Sequence, residues 1–341
     1  MQHMRRRQQT YHFGIACIPC FLLCVICSLC MIPVPPAFAE ETVPPAFAEA
    51  RAAEAPQVPV LVSFESKADR QATATWKTVD GADGYDLRYT NDDGSATFTV
   101  TPGTVKTKTL KLLKGGSKYK CRVRSFRMDP KTNEKMCSEW SGAKSVTIRH
   151  SRWSDLQEKY TAKEKVKNLI FVKYQGNSRA RLIVYRKAGK GWKKVLSCKA
   201  YTGRNGLNKK VEGDRRTPTG TFTLTRAFGV KKDPGSKIRY TKLKESHYWC
   251  GDRNYYNRMI SIKKHPHNCS GEHLIKYRKE YAYALALNYN KKNKYGKGSA
   301  IFLHCYGYHP YTMGCISVSK DNMKTILRTC EKNTKICIYP K

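Results

Sequence analysis

Leu169-Ile-Phe-Val-Lys-Tyr174, Ala180-Arg-Leu-Ile-Val-Tyr185 and Trp192-Lys-Lys-Val-Leu-Ser-Cys-Lys-Ala-Tyr201 follow one another with only turn signals between them, at Gly176-Asn177 and Gly189-Lys-Gly191. Short β-branched and aromatic runs bounded by Gly and Asn read as successive strands. Further on, Tyr281–Tyr289, Ala300–His304 and Lys335–Tyr339 are strand-like. One helix is expected from Ser319 to about Glu331, because Ser319 precedes Asp321 and Asn322 while Met323, Ile326 and Leu327 share a face. The C-terminal part, 168–341, is therefore expected to be a mainly β domain with a small helical component.

Upstream the pattern is also β. From Val58 to His150, the stretches Gln71–Trp76, Gly84–Tyr89, Ala96–Val100, Thr107–Leu110, Lys118–Arg124 and Lys144–Ile148 alternate with Asp80-Gly81, Asp83-Gly84, Asp93-Gly94, Pro102-Gly103 and Gly115-Gly116. In Lys118–Arg124, Tyr119, Cys121 and Val123 point one way and the basic residues the other, as in a half-buried strand. This is the pattern of a small antiparallel sandwich over 58–150. Trp76, Gly84-Tyr85-Asp-Leu-Arg-Tyr89, the Leu113–Tyr119 approach to a strand and Ser138-Glu-Trp140-Ser together resemble a fibronectin type III domain. The resemblance implies a spacer or binding platform, with Trp76 and Trp140 packed. Residues 151–167 read as a charged linker holding a short helix from Ser154 to Tyr160.

The N-terminus reads as an export signal. Arg5, Arg6 and Arg7 precede an apolar run, Phe13 to Met31, and then Ala37-Phe38-Ala39. Cleavage is expected after residue 39, with an alternative after 48 in the near-duplicate Ala46-Phe47-Ala48, leaving 40–57 as a linker. On length alone the run is also a membrane-anchor candidate, since about 20 apolar residues span a bilayer. Cys17, Cys20, Cys24, Cys27 and Cys30 within it read as small hydrophobes. The remaining nine cysteines are an odd number, so an exported chain keeps at least one free thiol. Cys250 with Cys269 and Cys330 with Cys337 are candidate local bridges. The charge, 64 − 26 = +38, raises nucleic acid as a partner. An exported chain lacking a basic-aromatic repeat argues against that, and anionic wall polymers or phospholipid head groups are the polyanions expected.

The chemistry-bearing residues lie close together near the C-terminus. His304 ends an apolar strand, and Cys315 follows Gly314 in Thr312-Met-Gly-Cys315. A thiol becomes a useful nucleophile when a base takes its proton, and a Gly-containing turn presents backbone amides to an oxyanion. Three segments resemble the L,D-transpeptidase (YkuD-type) catalytic domain: Gly213-Asp-Arg-Arg-Thr-Pro-Thr-Gly-Thr-Phe222, Gly298-Ser-Ala-Ile-Phe-Leu-His304 and Thr312-Met-Gly-Cys315.

The resemblance implies Cys315 as nucleophile, His304 as base, Gly314 and Cys315 amides as oxyanion donors, Thr312 shaping the turn and the Cys305 carbonyl orienting the imidazole. It also implies Thr217, Pro218, Gly220 and Met313 as substrate-binding positions. The implied partners are peptidoglycan stem peptides, a tetrapeptide donor and an acceptor amine, at the cell wall, with no metal or cofactor. Met313 stands where many members have a second histidine, and Ser317 where many have Arg or Asn. His309, in the loop from Tyr306 to Tyr311, competes with His304 as base, but a strand end is the more rigid platform. The cluster Cys250, His265, His267, Cys269 and His273 has spacings compatible with zinc, yet its surroundings resemble a substrate-covering insertion, which favours a flexible lid with a disulfide. Trimming of stems to tripeptides and non-catalytic wall binding are the alternative functions.

Overall fold

In the computed structural model the described residues are 54–341, so the expected export segment and both cut sites lie outside them. In chain order the elements are β1 (Leu61–Glu65), β2 (Gln71–Trp76), β3 (Gly84–Asn91), β4 (Gly94–Val100), β5 (Thr107–Lys111), β6 (Lys118–Met128), β7 (Lys135–Cys137), β8 (Lys144–Thr147), α1 (Arg152–Thr161), β9 (Asn168–Gly176) and β10 (Arg179–Ala188). They continue as β11 (Gly191–Tyr201), β12 (Gly220–Gly229), β13 (Tyr240–Lys242), β14 (His247–Cys250), β15 (Arg258–Ser261), β16 (Glu272–His273), β17 (Ala284–Leu287), β18 (Phe302–Cys305), β19 (Ile316–Val318), α2 (Lys320–Thr329) and β20 (Lys335–Pro340). Among the described residues, no helix is long and apolar enough to cross a membrane.

The first eight strands form two facing sheets. One is ordered β1-β2-β5 and the other β4-β3-β6-β7, with β8 also paired to β6. Period-two alternation makes this sandwich: in β6, Tyr119, Cys121 and Val123 are buried while Lys118, Lys120 and Arg122 face solvent. Those inward residues share one core with Leu61, Phe64, Trp76, Tyr85 and Leu87. The Trp76 and Tyr85 rings meet 5.3 Å apart, so Trp76 is packed as expected, whereas Trp140 is only half-buried under the Arg124 guanidinium.

Within 151–167, expected to be a linker with a short helix from Ser154 to Tyr160, the helix runs Arg152–Thr161 and is packed. Ser151 and Ser154 cap α1 reciprocally. Its Trp153 and Leu156 enter a buried cluster with Leu169, Phe171 and Cys337, and the Trp153 and Phe171 rings lie 5.0 Å apart. Gln157 accepts from Trp192 Nε1 at 2.9 Å. The helix is thus anchored to β9, β11 and β20.

The remaining large sheet runs β13-β12-β17-β18-β19-β11-β10-β9-β20. It closes on itself because the first half of β12 pairs with β20 (Gly220↔Ile338) and the second half with β17 (Phe228↔Ala284). Closure removes sheet edges, leaving β13 as an appended parallel strand on β12. Ile170, Val172, Leu182, Leu303, Ile316 and Ile338 fill one core with Met323, Ile326 and Leu327 of α2. Ser319 caps α2 by accepting from the Asn322 amide, as its sequence foretells.

All nine cysteines among the described residues are free, so neither expected disulfide forms. For Cys330 and Cys337 the reason is topological: Cys330 sits in the core lined by α2, while Cys337 on β20 faces the α1 cluster.

Because α1 is packed, Trp153→Ala removes a large buried side chain and should cost about 3–5 kcal/mol. Denaturant unfolding checks this; an unchanged midpoint would mean that α1 is only a tether.

Candidate active site

Strand parity places His304, the expected base. In β18, Leu303 and Cys305 belong to the barrel core, whereas Phe302 turns to the other face and packs with Phe228, Trp249 and Tyr281. His304 shares that second face, its ring edge-on to Tyr281 at 5.7 Å. The parallel partner β19 pairs Leu303 with Ile316 and His304 with Ser317. Cys315, one residue before β19, therefore lies beside Phe302, whose amide donates to Cys315 Sγ at 3.3 Å. His304 and Cys315 line the same cavity, of about 720 Å³.

The turn before Cys315 is built by hydroxyls. Thr312 Oγ1 accepts from the Gly314 amide (3.1 Å) and donates to the Cys315 carbonyl (2.7 Å). Thr217 Oγ1, fully buried, accepts from the Gly203 amide (2.7 Å) and donates to the same carbonyl (3.2 Å). Gly314 has φ +141°, and a Cβ there would stand 3.0 Å from the Arg216 carbonyl oxygen. Thr312 thus shapes the turn as expected. The Gly314 amide, expected to face an oxyanion, donates instead to the Thr312 hydroxyl.

Proton positions follow from the acceptors. His304 Nδ1 lies 2.6 Å from the Cys305 carbonyl oxygen, which only accepts, so Nδ1 carries the hydrogen and Nε2 keeps its lone pair. Burial holds the imidazole below its ordinary 6.5, against the opposing pull of that carbonyl and of Glu280. Burial, reinforced by the Glu272 carboxyl, pushes the Cys315 thiol up to about 12, although the Phe302 amide and Lys209 act the other way. Both shifts favour the neutral forms of the pair, thiol and imidazole. The thiol donates to the Ala300 carbonyl at 3.1 Å.

The Gly213–Phe222 segment buttresses the nucleophile turn. Thr217 and Pro218 are buried and, with Gly220, stand outside the cavity lining; of the expected substrate-binding positions only Met313, mostly exposed, lines it. The Thr217 hydroxyl is taken up by the Gly203 amide and the Cys315 carbonyl, which explains its place behind the lining. Arg215, Lys209 and Glu212 of neighbouring positions reach the cavity instead. Asp214 organises this loop: burial raises its carboxyl, but Lys209 Nζ at 2.8 Å and the amides of Lys210, Arg216 and Val211 outweigh that and hold it down to about 2.

Two wall residues escape sequence reading. Glu272 is half-buried in its strand, desolvation raises its carboxyl, and it accepts from Tyr281 Oη at 2.5 Å. Trp249 packs edge-on to Phe302 at 4.7 Å. Both come from the expected lid, which is an ordered three-stranded sheet, β15-β14-β16. His309 also lines the cavity, but it is exposed and stacked on Tyr311.

Residues 169–338 match the family model YkuD, L,D-transpeptidase catalytic domain. The chain carries a catalytic domain of that family, whose members are peptidoglycan L,D-transpeptidase-type enzymes. Among solved structures, Bd1075 of Bdellovibrio bacteriovorus aligns over 51% of this chain and 48% of its own at 20% identity and TM-score 0.29. The fn3 domain of human contactin 1 aligns over 33% of this chain and 94% of its own (16% identity, TM-score 0.25), and that of human collagen alpha-1(XX) over 30% and 93% (18%, 0.24). Scores this low leave the fold to be read from its own sheets. A search of curated proteins found no match.

Gly314→Ala forces a side chain into a positive-φ turn against the Arg216 carbonyl. It should lower stability by about 1–3 kcal/mol, seen as a lower thermal midpoint, and slow alkylation of Cys315; an unperturbed variant would mean that the turn tolerates a Cβ.

Proposed function

We propose that the chain is an exported, wall-associated peptidoglycan L,D-transpeptidase that joins third-position stem residues. The observation that carries this is the pairing of Cys315 with a His304 whose Nδ1 is tied to the Cys305 carbonyl, both on the wall of one cavity. In this reading substrate displaces the thiol from Ala300. His304 Nε2 takes the thiol proton as sulfur attacks the carbonyl after the third stem residue. The resulting oxyanion is met by the Cys315 amide, and by the Gly314 amide if it exchanges Thr312 for the new charge. Collapse expels terminal D-Ala, whose amine takes the proton back from His304, leaving a thioester. An acceptor side-chain amine then attacks the thioester, giving a new amide and restoring the thiol.

Arg215 at the cavity rim supplies a cation for a stem carboxylate. The overall +38 charge concentrates the enzyme near anionic wall polymers or membrane head groups. The N-terminal sandwich, in the same reading, is a fibronectin type III-like spacer. Water as the second nucleophile would instead trim the stem, since the same acyl-enzyme serves both outcomes.

The full chain incubated with disaccharide-tetrapeptide muropeptides should yield cross-linked dimers by mass spectrometry, absent with Cys315→Ala. Cysteine-dependent tripeptides alone would make it a carboxypeptidase, and no change with varied stems would sink the enzymatic reading.

The pH profile tests the base. His304 must be neutral to act, and burial lowers its pKa from the ordinary 6.5. The acid limb of kcat/KM should therefore be centred below 6.5; an acid limb centred above 6.5 would remove His304 from that role.

A further inference from the structure

Four ligand-type side chains converge where β14 ends and β16 begins. Cys250, Asp252, His267 and Cys269 each offer an atom, and all four atoms lie within 4.8 Å of one another. Cys250 Sγ is 3.3 Å from Asp252 Oδ2 and 3.4 Å from His267 Nε2, and those last two are 3.2 Å apart. Metal bonds of about 2.0–2.3 Å set tetrahedral ligand atoms about 3.3–3.8 Å apart. The three edges among Cys250, Asp252 and His267 are nearly of that length, and the Cys269 sulfur lies within 4.8 Å of each.

We propose that Cys250, Asp252, His267 and Cys269 form a closed structural site for Zn²⁺. A disulfide would account for the two cysteines but not for the convergence of an imidazole nitrogen and a carboxylate oxygen on Cys250. Their outer partners fit metal binding as well. His267 Nδ1 faces the His265 carbonyl at 2.7 Å, which places the hydrogen on Nδ1 and leaves Nε2 as the donor atom. The Tyr255 ring stacks on His267, and Ser270 donates to Asp252 from its hydroxyl (2.6 Å) and its amide. The Asp252 amide donates to Cys250 Sγ, as thiolate ligands commonly receive. The other two histidine rings lie elsewhere: His273 Nε2 contacts the Glu245 carbonyl and its ring stacks on Tyr248, while the His265 ring packs against Tyr255 at 4.9 Å.

Four protein ligands leave no open position, so the ion holds structure and takes no part in the reaction. What it holds is the cavity roof. Trp249, beside Cys250, pairs with Glu272 in β16, and Gly251, Ser270 and Gly271 line the cavity. The ion would tie both ends of that roof together. The proposal does not rest on the transpeptidase reading, because metal content is measured without turnover.

The full chain, purified with reductant and without chelator, should carry about one zinc per chain by elemental analysis. Cys315→Ala should carry the same amount, and Cys250→Ser or His267→Ala less than a tenth of it. Replacing zinc by Co²⁺ should give tetrahedral ligand-field bands and thiolate-to-cobalt charge transfer, retained in Cys315→Ala. Should the ligand variants fail to fold, the unmutated chain still decides: stripping the ion should lower its thermal midpoint and increase proteolysis within 251–270, and zinc should restore both. Reduced chain that binds neither zinc nor cobalt, or a Cys250–Cys269 disulfide in metal-free protein by peptide mapping, would overturn the proposal.

Discussion

The parallel pairing of β18 with β19 is the constraint on which the catalytic arrangement depends. Side chains alternate along a strand, so a slip of one residue would send His304 into the barrel and Leu303 into the cavity. The register is held because Leu303, Cys305, Ile316 and Val318 all lie in the barrel core. Burial of four apolar side chains on one face thereby orients the polar residues on the other. The connection between these neighbours spans only 306–315, and the Tyr306 amide bonds back to the Val318 carbonyl at 2.7 Å. So short a parallel crossover ends in a backbone conformation that Gly314, at φ +141°, can adopt.

Electrostatics then set the resting chemistry. Trp249 and Tyr281 line the cavity, and with Phe228 and Phe302 they form one buried cluster that includes Cys315. A charge formed there loses hydration, so burial raises the thiol and lowers the imidazole, and neither ionises alone. Thiolates that rest as ion pairs are permanently reactive, also toward oxidants. A protonated Cys315 bonded to Ala300 is not. Activation is thus coupled to whatever breaks that bond, and an entering carbonyl provides both an electrophile and an acceptor for the amides.

Strands with clean alternation were legible from sequence, as β2, β6 and β10 show, and β9 and β11 were legible from the turn signals that bound them. β12 was not, because it changes partner midway, from β20 to β17, with a register irregularity between Leu224 and Arg226. Its two halves answer to different neighbours, and no single period runs through it. The expected strand 281–289 shortens to Ala284–Leu287, where every residue is buried, and Tyr281 belongs instead to a 3-10 turn. An apolar run buried on both faces carries no signal for its ends. Cys315, His304, Thr312 and the Cys305 carbonyl were legible through motif and order. The inward turn of Thr217 and Pro218, and the arrival of Glu272 and Trp249, were not, since they depend on pairings between distant segments.

The roof shows how far such pairings reach. A sheet with strands of four, four and two residues is too small to stand alone. It leans on Phe302 through Trp249, whose Nε1 donates to Asn257 Oδ1 at 3.1 Å. The same Oδ1 accepts from the Ala300 amide at 3.2 Å, and Asn257 Nδ2 donates to the Tyr289 carbonyl at 3.0 Å. Ala300 itself has φ +54°, an unfavourable value for a residue with a Cβ, so its peptide needs such outside support. Its carbonyl is the acceptor of the Cys315 proton. A roof side chain therefore holds, through its amide, the residue whose carbonyl accepts from the Cys315 thiol, which links the packing of the roof to the placing of that sulfur.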